Sequence, residues 1–577
     1  MVHFRVDASE PNTHLYRVTL TIEQPAAQQL VSLPVWIPGS YLVREFARHI
    51  FGLEARQAGA ALAVEQLDKA SWRIECKART RLTLSYRVYA FDNSVRAAFL
   101  DSQRGFFNGT SLFLRVHGHE HEVQRLRIGA LPGGWQVATA LPAVKADARG
   151  RGMYEAADYD ELVDHPVEMG SFWRGRFSAG GVPHEFVVTG ALPVFDGERL
   201  LADAKRICEA QIAFWHAKRK PPFGRYLFML NAVEDGYGGL EHRASTALIA
   251  ARRDLPRRGQ NGQSDGYVTL LGLISHEYFH TWNVKRLRPI EFTRYDYTSE
   301  NYTRLLWFFE GFTSYYDDLF LVRSTLIDEA RYLKLLAKNI NAVLGTPGRK
   351  VQSVAQASFD AWVKYYRGDE NTVNATISYY TKGSLLALAL DLTLRHAGKG
   401  SLDDVMRELW RASDGGPVGE ADIEQAVHAV AGRSMEKELV AWVHGTDDLP
   451  LEPLLSKVGI QWKSEVPTPA LRWGVRVAES ALTGVQVKGV LRGGAGERSG
   501  LAAGDELLAV NGWRLRRIDD VQMLSEPGAA LELLVSRDQR LMPLRLVPAD
   551  VGGAIVLTSA DKPTREALAL RRAWLRD

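Results

Sequence analysis

The pattern H-E-x-x-H formed by His276, Glu277 and His280 is the part of this sequence with the most direct chemical meaning. On a helix, residues i and i+4 point the same way, so both imidazoles can reach one cation. Zinc suits such a site because it accepts neutral imidazole nitrogen in tetrahedral geometry and, with three protein ligands, keeps one position for water. Glu277 is then placed to take a proton from that water.

Glu310 is the candidate third ligand. Its neighbours in the chain are aromatic: Trp307, Phe308, Phe309 and Phe312. A carboxylate among such rings is desolvated, which is costly unless a cation or hydrogen bonds neutralise it. The alternative is a core helix whose two histidines are structural, but the apolar residues before His276 and the setting of Glu310 favour a metal. We therefore predict one zinc ion per chain, bound by His276, His280 and Glu310.

Length and composition limit the class of protein that carries this motif. The chain has 577 residues, 46% hydrophobic and 24% charged, which is enough for several domains with proper cores. Its net charge is +3, from 71 basic and 68 acidic residues, so neither nucleic acid nor an anionic membrane is expected as a partner. Cys76 and Cys208 are too far apart in sequence to suggest a disulfide framework or a thiolate metal site.

The N-terminus and the apolar runs bear on location. The sequence starts MVHFRVDASEPNTH, which has no apolar signal-peptide core. No run reaches about 18 uninterrupted apolar residues, so we predict no membrane span. The expected location is cytoplasmic.

Strand alternation dominates residues 1–170. Tyr16, Val18, Leu20 and Ile22 alternate with polar residues, as half-buried antiparallel strands do. We predict an N-terminal β-rich domain that walls one side of an active cleft. Around the turn at Pro38 and Gly39 lie three residues, Trp36, Tyr41 and Arg44, for which packing is the favoured interpretation and substrate contact the alternative.

The motif lies in a second region with mixed structure. Residues 171–275 read as its sheet-containing half and 276–457 as its helical half. Within the first half, Gly238 and Gly239 lie in GYGGLEH, on or beside an edge strand. A glycine pair lets another backbone come close, as an extended peptide must when it pairs with a sheet edge.

The last part of the chain resembles a PDZ domain. The resemblance rests on GVLRGGAGERSGLAAGDELLAVNGWRL, and we assign 458–550 to this domain and 551–577 to a C-terminal tail. A PDZ groove accepts a peptide or chain terminus by strand addition, so this domain either recruits substrates or braces its neighbour. The predicted fold class is multidomain α+β: an N-terminal antiparallel β domain, a thermolysin-like catalytic domain and a C-terminal PDZ domain.

A family resemblance connects these parts. HEYFHTWN followed by WFFEGFTSYY resembles the gluzincin zinc metallopeptidases, although the interval from His280 to Glu310 is longer than in the larger aminopeptidases of that group. Together with VWIPGSYLVREFARHI and the PDZ-like module, the chain is similar to the glycyl aminopeptidase family. The resemblance covers most of the chain.

The resemblance implies roles for further residues. GGLEH resembles the segment of gluzincin aminopeptidases whose glutamate binds the substrate's α-amine, which selects Glu241, with His242 replacing the usual asparagine. A carboxylate at a fixed distance from zinc admits only the first peptide bond. ISYYTKG resembles the segment that supplies a tyrosine to the oxyanion, and alignment on Lys382 selects Tyr380, with Tyr379 as its rival.

We therefore expect a zinc-dependent aminopeptidase acting on peptides with a free N-terminus, and the resemblance implies N-terminal glycine or alanine. Two alternatives remain open. A thermolysin-like endopeptidase with PDZ-directed substrate recruitment would share the zinc site but not need Glu241. A non-catalytic PDZ scaffold would not need Glu277 beside two metal ligands.

Overall fold

The structure is a computed structural model that describes residues 1–260 and 262–576. Its contacts divide the chain into two compact units. The first comprises Met1–Tyr302 with Ser413–Pro417, and the second comprises Thr303–Ala412 with Val418–Asp577.

The N-terminal part of the first unit is built from strands, because its apolar residues recur at every second position and bury one face. The strands are β1 (Val2–Asp7), β2 (Leu15–Ile22), β3 (Gln28–Ser32), β4 (Ile50–Gln57), β5 (Ala60–Leu62), β6 (Val64–Gln66), β7 (Ser71–Glu75), β8 (Leu82–Tyr89), β9 (Ala98–Leu100), β10 (Arg104–Phe107), β11 (Arg115–Val116), β12 (Gln124–Ile128), β13 (Gln136–Thr139), β14 (Ala143–Ala146), β15 (Gly152–Ala156) and, after the short helix α1 (Tyr159–Val163), β16 (Val167–Gly170).

These strands form one eight-stranded sheet, in the order β14-β15-β12-β1-β2-β8-β4-β5, and two four-stranded sheets. Their pairings are antiparallel except that of β1 with β12. A single apolar cluster fills the space between the sheets. The predicted N-terminal β domain is confirmed.

The rest of the first unit carries a five-stranded sheet and the helix of the H-E-x-x-H motif. Its elements are β17 (Trp173–Ala179), β18 (Val182–Thr189), α2 (Gly197–His216), β19 (Tyr226–Val233), β20 (Tyr237–Glu241), β21 (Ser245–Ala251) and α3 (Asp265–Phe279). The strand order is β17-β18-β19-β21-β20, with β18, β19 and β21 parallel and β20 antiparallel at the edge. The expected division at 275/276 falls inside α3.

The second unit begins with helices that pack around one apolar helix. They are α4 (Leu306–Phe309), α5 (Gly311–Arg323), α6 (Glu329–Leu344), α7 (Val354–Phe359), α8 (Thr372–Ala375), α9 (Tyr379–Ala397), α10 (Leu402–Ala412), α11 (Glu420–Ala431), α12 (Glu436–Val443) and α13 (Leu451–Lys457). Of these, α9 has most of its residues buried, and its central run LLALAL is entirely apolar.

The PDZ domain lies, in sequence, between two strands that pair with each other. After β22 (Ile460–Ser464) come α14 (Pro469–Trp473), β23 (Val475–Ser480), β24 (Gly484–Val490), α15 (Ala495–Ser499), β25 (Glu506–Val510), β26 (Trp513–Arg514), α16 (Val521–Leu524), β27 (Leu531–Arg537) and β28 (Arg540–Leu546), followed by β29 (Ile555–Ser559) and α17 (Arg565–Arg576). The PDZ sheet has the order β23-β24-β25-β27-β28 and its own apolar core.

Strands β22 and β29 pair with each other outside that sheet. The stretch 551–577, expected as a tail, therefore contains a paired strand and a helix. Among the residues that the structure describes, no helix is both long and apolar enough to cross a membrane. The α+β multidomain class predicted from the sequence is confirmed.

Candidate active site

Helix α3 holds both histidines of the motif at its last turn. It begins at Ser264, whose hydroxyl accepts a hydrogen bond from the N–H of Tyr267 (3.1 Å). The helix ends at His280, whose N–H still donates to the carbonyl of His276. Both rings therefore lie on one side, with their Nε2 atoms 3.0 Å apart.

The hydrogen bonding of His280 fixes which ring nitrogen is available to a cation. Its Nδ1–H donates to the carbonyl of Asn283 (2.7 Å). Because a carbonyl oxygen only accepts, Nδ1 carries the hydrogen and Nε2 keeps its lone pair. The backbone carbonyl of Asn283 thus orients the ring of a candidate metal ligand.

Glu310 completes a cluster with the two histidines. The ligand atoms of His276, His280 and Glu310 all lie within 4.8 Å of one another. Two imidazole nitrogens and one carboxylate oxygen form a donor set that zinc accepts while retaining an open position. The three residues named from the sequence as metal ligands are therefore close enough to hold one ion.

Glu310 owes its position to close packing of helices within the second unit. It stands at the junction of α4 and α5. Gly311 beside it meets Gly383 of α9 so closely that a Cβ on Gly311 would lie 2.6 Å from the Cα of Gly383. Only glycine permits such an approach of two helix backbones.

Tyr380 lies in the first turn of α9, which Ser378 caps. Its hydroxyl oxygen is 3.2 Å from that of Tyr366. Burial, and then the charge of Glu310, raise the pKa of Tyr380 well above its ordinary value. Tyr380 therefore remains a hydrogen-bond donor at neutral pH, near one of the candidate zinc ligands.

Strand β20 brings Gly239 against the candidate general base. A Cβ on Gly239 would lie 2.1 Å from Oε1 of Glu277, so a larger residue would displace that carboxylate. Gly238 has a backbone φ of +156°, a value that residues with a side chain rarely adopt. Gly238 therefore permits the backbone conformation of β20, and Gly239 permits the close approach of the Glu277 carboxylate.

Glu241 projects from the same face of β20 as Gly239, because strand residues alternate between faces. Its side chain is buried, with 4% of the residue exposed. Among the residues described, no hydrogen-bond partner reaches its Oε1. The turn at Gly39 covers this carboxylate so closely that a Cβ on Gly39 would lie 2.5 Å from Oε1.

His242, which differs from the family's asparagine, is buried beside an ion pair. Its Nδ1 lies 3.4 Å from Oδ1 of Asp164, which pairs with Nζ of Lys285 at 2.6 Å. Burial acts to raise the pKa of Asp164, but Lys285 and then His242 overcome this effect and hold it well below its ordinary value. This cluster anchors the turn that follows Glu241.

Sequence reasoning missed several of these residues. Asp164 and the buried ion pair of Lys285 gave no signal, since their pairing joins segments distant in the chain. Arg96, whose Nη2 donates to the carbonyl of Gly239 (3.3 Å), was not singled out either. Trp36 and Tyr41 are buried in ring contacts, in agreement with the packing interpretation.

The fold and the cluster of His276, His280 and Glu310 define the class of the metallopeptidases. Family models match the chain at 3–171 (Peptidase M61 N-terminal domain), 269–386 (M61 glycyl aminopeptidase) and 461–536 (PDZ domain). A comparison with curated protein sequences finds no match.

Solved structures give two further comparisons. An aminopeptidase N family protein from Idiomarina loihiensis is 36% identical, with a TM-score of 0.94 and 100% of both chains covered. An M1 zinc metallopeptidase from Deinococcus radiodurans is 16% identical, with a TM-score of 0.49, over 78% of this chain and 94% of that one. The chain belongs to the M61 glycyl aminopeptidase family, and it is an aminopeptidase.

Proposed function

We propose that the chain removes the first residue of peptides that have a free α-amine, using one zinc ion bound by His276, His280 and Glu310. The observation that carries this proposal is the carboxylate of Glu241. It is buried, has an oxygen without a hydrogen-bond partner among the described residues, and lies on the face of β20 that meets Glu277. A protonated amine supplies both the charge and the donor that this oxygen lacks.

Glu241 and Glu277 meet the same face of β20 at positions two residues apart, about 6.7 Å along a strand. One aminoacyl group with a hydrogen bond at each end can bridge this gap. A peptide whose amine is held by Glu241 therefore presents its first carbonyl near Glu277. This arrangement favours an exopeptidase over the endopeptidase alternative.

Glu277 and Tyr380 have different roles in the proposed hydrolysis. When bound, zinc supplies Lewis-acid polarisation of the carbonyl oxygen and of a water molecule. Glu277 takes a proton from the attacking water, whose oxygen bonds to the carbonyl carbon. The C–N bond breaks, and Glu277 passes the proton to the leaving amine. Tyr380 donates its O–H to the oxygen on which negative charge develops.

We further propose that the first residue is glycine or alanine. The description of the family as glycyl aminopeptidases supports this preference. So does the turn at Gly39, which lies so close to Glu241 that a Cβ on Gly39 would meet the carboxylate. A small first side chain fits most easily under that turn.

The PDZ domain is proposed to bind a peptide or chain terminus. Contacts within the second unit also support bracing, because the side chain of Asn374 donates to the carbonyl of Val490 (2.9 Å) and accepts from the N–H of Arg492 (2.8 Å). The cytoplasmic location expected from the sequence stays a prediction.

Hydrolysis of glycyl and alanyl amides, free and N-acetylated, tests the catalytic proposal. Glu277→Gln should still bind one zinc ion per chain but lower kcat by about 10²–10⁴-fold, because the proton acceptor is lost. Glu241→Ala should lose the preference for a free amine. Glu209→Gln, on an exposed part of α2, is the matched control and should match the wild type.

Three results would contradict the proposal. Equal hydrolysis of blocked and free substrates by the wild type would favour an endopeptidase. A purified chain without zinc and without chelator-sensitive hydrolysis would favour the scaffold. Full activity of Glu277→Gln would exclude that residue as the base.

A further inference from the structure

The open edge of β20 presents backbone groups to a ligand in a defined order. In the β20–β21 hairpin, the N–H of His242 donates to the carbonyl of Ser245 (2.9 Å). Antiparallel pairs alternate between hydrogen-bonded and non-hydrogen-bonded positions, so the N–H and C=O groups of Gly239 and Glu241 point away from β21. Those groups face the side on which an extended peptide would add.

Arg96 lies at this edge. Its Nη2 donates to the outward carbonyl of Gly239 (3.3 Å), and its Nη1 lies 3.8 Å from the position of a Cβ on Gly238. Its Nε–H is buried and has no hydrogen-bond partner among the residues that the structure describes. A guanidinium has five N–H donors in a fixed plane, so most of its capacity is left for a ligand.

The charge of Arg96 is also uncompensated. Within residues 1–260 and 262–576, no carboxylate forms an ion pair with it. The buried arginine nearby along the chain, Arg104, differs in this respect, because Glu168 binds it through two hydrogen bonds of 2.8 Å. A partly desolvated guanidinium without a counter-ion favours an anionic ligand.

We propose that Arg96 binds the C-terminal carboxylate of short peptide substrates, so that dipeptides are the preferred class. This inference rests on the proposed function, which places the α-amine at Glu241 and the cut bond beside Gly239. The second residue then lies one step further along the edge, level with Gly238. An extended dipeptide spans about 6–7 Å from amine to carboxylate, which brings its carboxylate to Arg96.

Glu241 and Arg96 thus form a pair of opposite charges that matches the two ends of a dipeptide zwitterion. Arginine suits the second role, because its planar fork can donate two parallel hydrogen bonds to one carboxylate. In longer peptides the same position meets a neutral carbonyl, which gains less from the charge. Arg96 is in this sense a specificity-determining residue for the length of the substrate.

The test compares glycyl-phenylalanine with glycyl-phenylalanine amide, which differ only in the C-terminal charge. The wild type should prefer the carboxylate form in kcat/KM by roughly ten- to hundredfold, the effect of one charge-assisted hydrogen bond. Arg96→Gln should remove this preference by raising KM for the carboxylate form, with little change for the amide. Arg96→Lys should retain part of it, and Arg56→Gln, at an exposed arginine, should retain all of it.

A binding measurement separates recognition from turnover. In the Glu277→Gln background, calorimetry should show tighter binding of the dipeptide than of its amide, and Arg96→Gln should abolish the difference. Unfolding midpoints of both Arg96 variants control for loss of structure.

Two outcomes would overturn the inference. One is an equal kcat/KM of the wild type for the two substrates. The other is an equal loss of both in Arg96→Gln, which would mean that Arg96 only holds the strand at Gly239. If the wild type hydrolyses neither substrate, or N-acetylated ones equally well, the proposed function itself fails.

Discussion

Two adjacent tyrosines begin α9, and their surroundings differ. Tyr379 is fully buried against neighbouring rings. Tyr380 is half-buried, its hydroxyl oxygen lies 3.2 Å from that of Tyr366, and the charge of Glu310 contributes to its raised pKa. These surroundings support Tyr380 as the oxyanion donor, the residue that alignment on Lys382 also selects.

Tyr380→Phe should lower kcat by about 10²–10³-fold while leaving the zinc content unchanged, because one donor to the developing negative charge is lost. Steady-state kinetics and metal analysis on the same preparation measure both quantities. Tyr366→Phe removes only the neighbouring hydroxyl and serves as the matched control, with a smaller expected effect. A full loss of activity in Tyr379→Phe, with Tyr380→Phe active, would assign the role to the rival tyrosine.

At the level of elements, a buried histidine links the sheet to α3, the helix that carries two candidate metal ligands. His184 of β18 donates from Nδ1 to the carbonyl of Val182 (2.9 Å), so its Nε2 accepts from the hydroxyl of Tyr278 in α3 (2.9 Å). Burial lowers the pKa of His184 to about 4. The neutral ring is therefore the form that positions α3.

This link predicts an acid-sensitive stability. The unfolded chain protonates a histidine near pH 6.5, whereas folded His184 does so near pH 4. Between these values the unfolded state binds more protons, so the free energy of unfolding falls as pH falls. For His184 the loss between pH 7 and pH 5 is on the order of 2 kcal/mol.

Urea unfolding at pH 7 and pH 5 measures this loss. His184→Gln should reduce the difference between the two midpoints, because the titrating group is gone. His121→Gln, at an exposed histidine, should leave the difference unchanged. If the two variants show the same pH dependence as the wild type, His184 does not contribute to acid sensitivity.

Local patterns explain which elements could be predicted from the sequence. The half predicted to contain a sheet includes β19 and β21, which are apolar runs in the sequence, and such runs depend only on neighbours in the chain. Lys285 follows the motif helix in a run of basic residues, and it is buried against Asp164. The sequence carries no signal for that pair, nor for Arg96 at Gly239, because such contacts arise only when distant segments fold together.

On the scale of the whole chain, the second unit contains a PDZ domain with further secondary structure before and after it in sequence. Chain segments before and after it pair as β22 and β29, and α17 then packs on α5 and α9. Sequence reasoning located the PDZ domain from its glycine-rich motif. The sequence did not reveal that the segment after the PDZ domain pairs with the segment before it. Two short strands become recognisable only through their pairing.

Trp574 attaches the C-terminal helix α17 to the helices of the second unit. Its side chain is 0% exposed, and its Nε1–H donates to the hydroxyl of Tyr315 (2.9 Å). Its carbonyl accepts from Arg323, and the carbonyl of Ala573 accepts from Arg395. The C-terminal helix therefore completes the core that contains α5 and α9.

Trp574→Ala should lower the free energy of unfolding of the second unit by about 3–5 kcal/mol, through lost burial and the cavity left behind. Trp513, which is 67% exposed in the PDZ domain, provides the matched control, and Trp513→Ala should change stability by at most about 0.5 kcal/mol. Thermal unfolding and limited proteolysis compare the two variants.

Equal stability of the two variants would mean that α17 does not contribute to the core, and deletion of residues 551–577 would then leave the second unit intact. We expect instead that this deletion exposes the apolar sides of α5 and α9 and makes the unit susceptible to proteolysis, because it removes Trp574 from Tyr315 and all of α17 from these two helices.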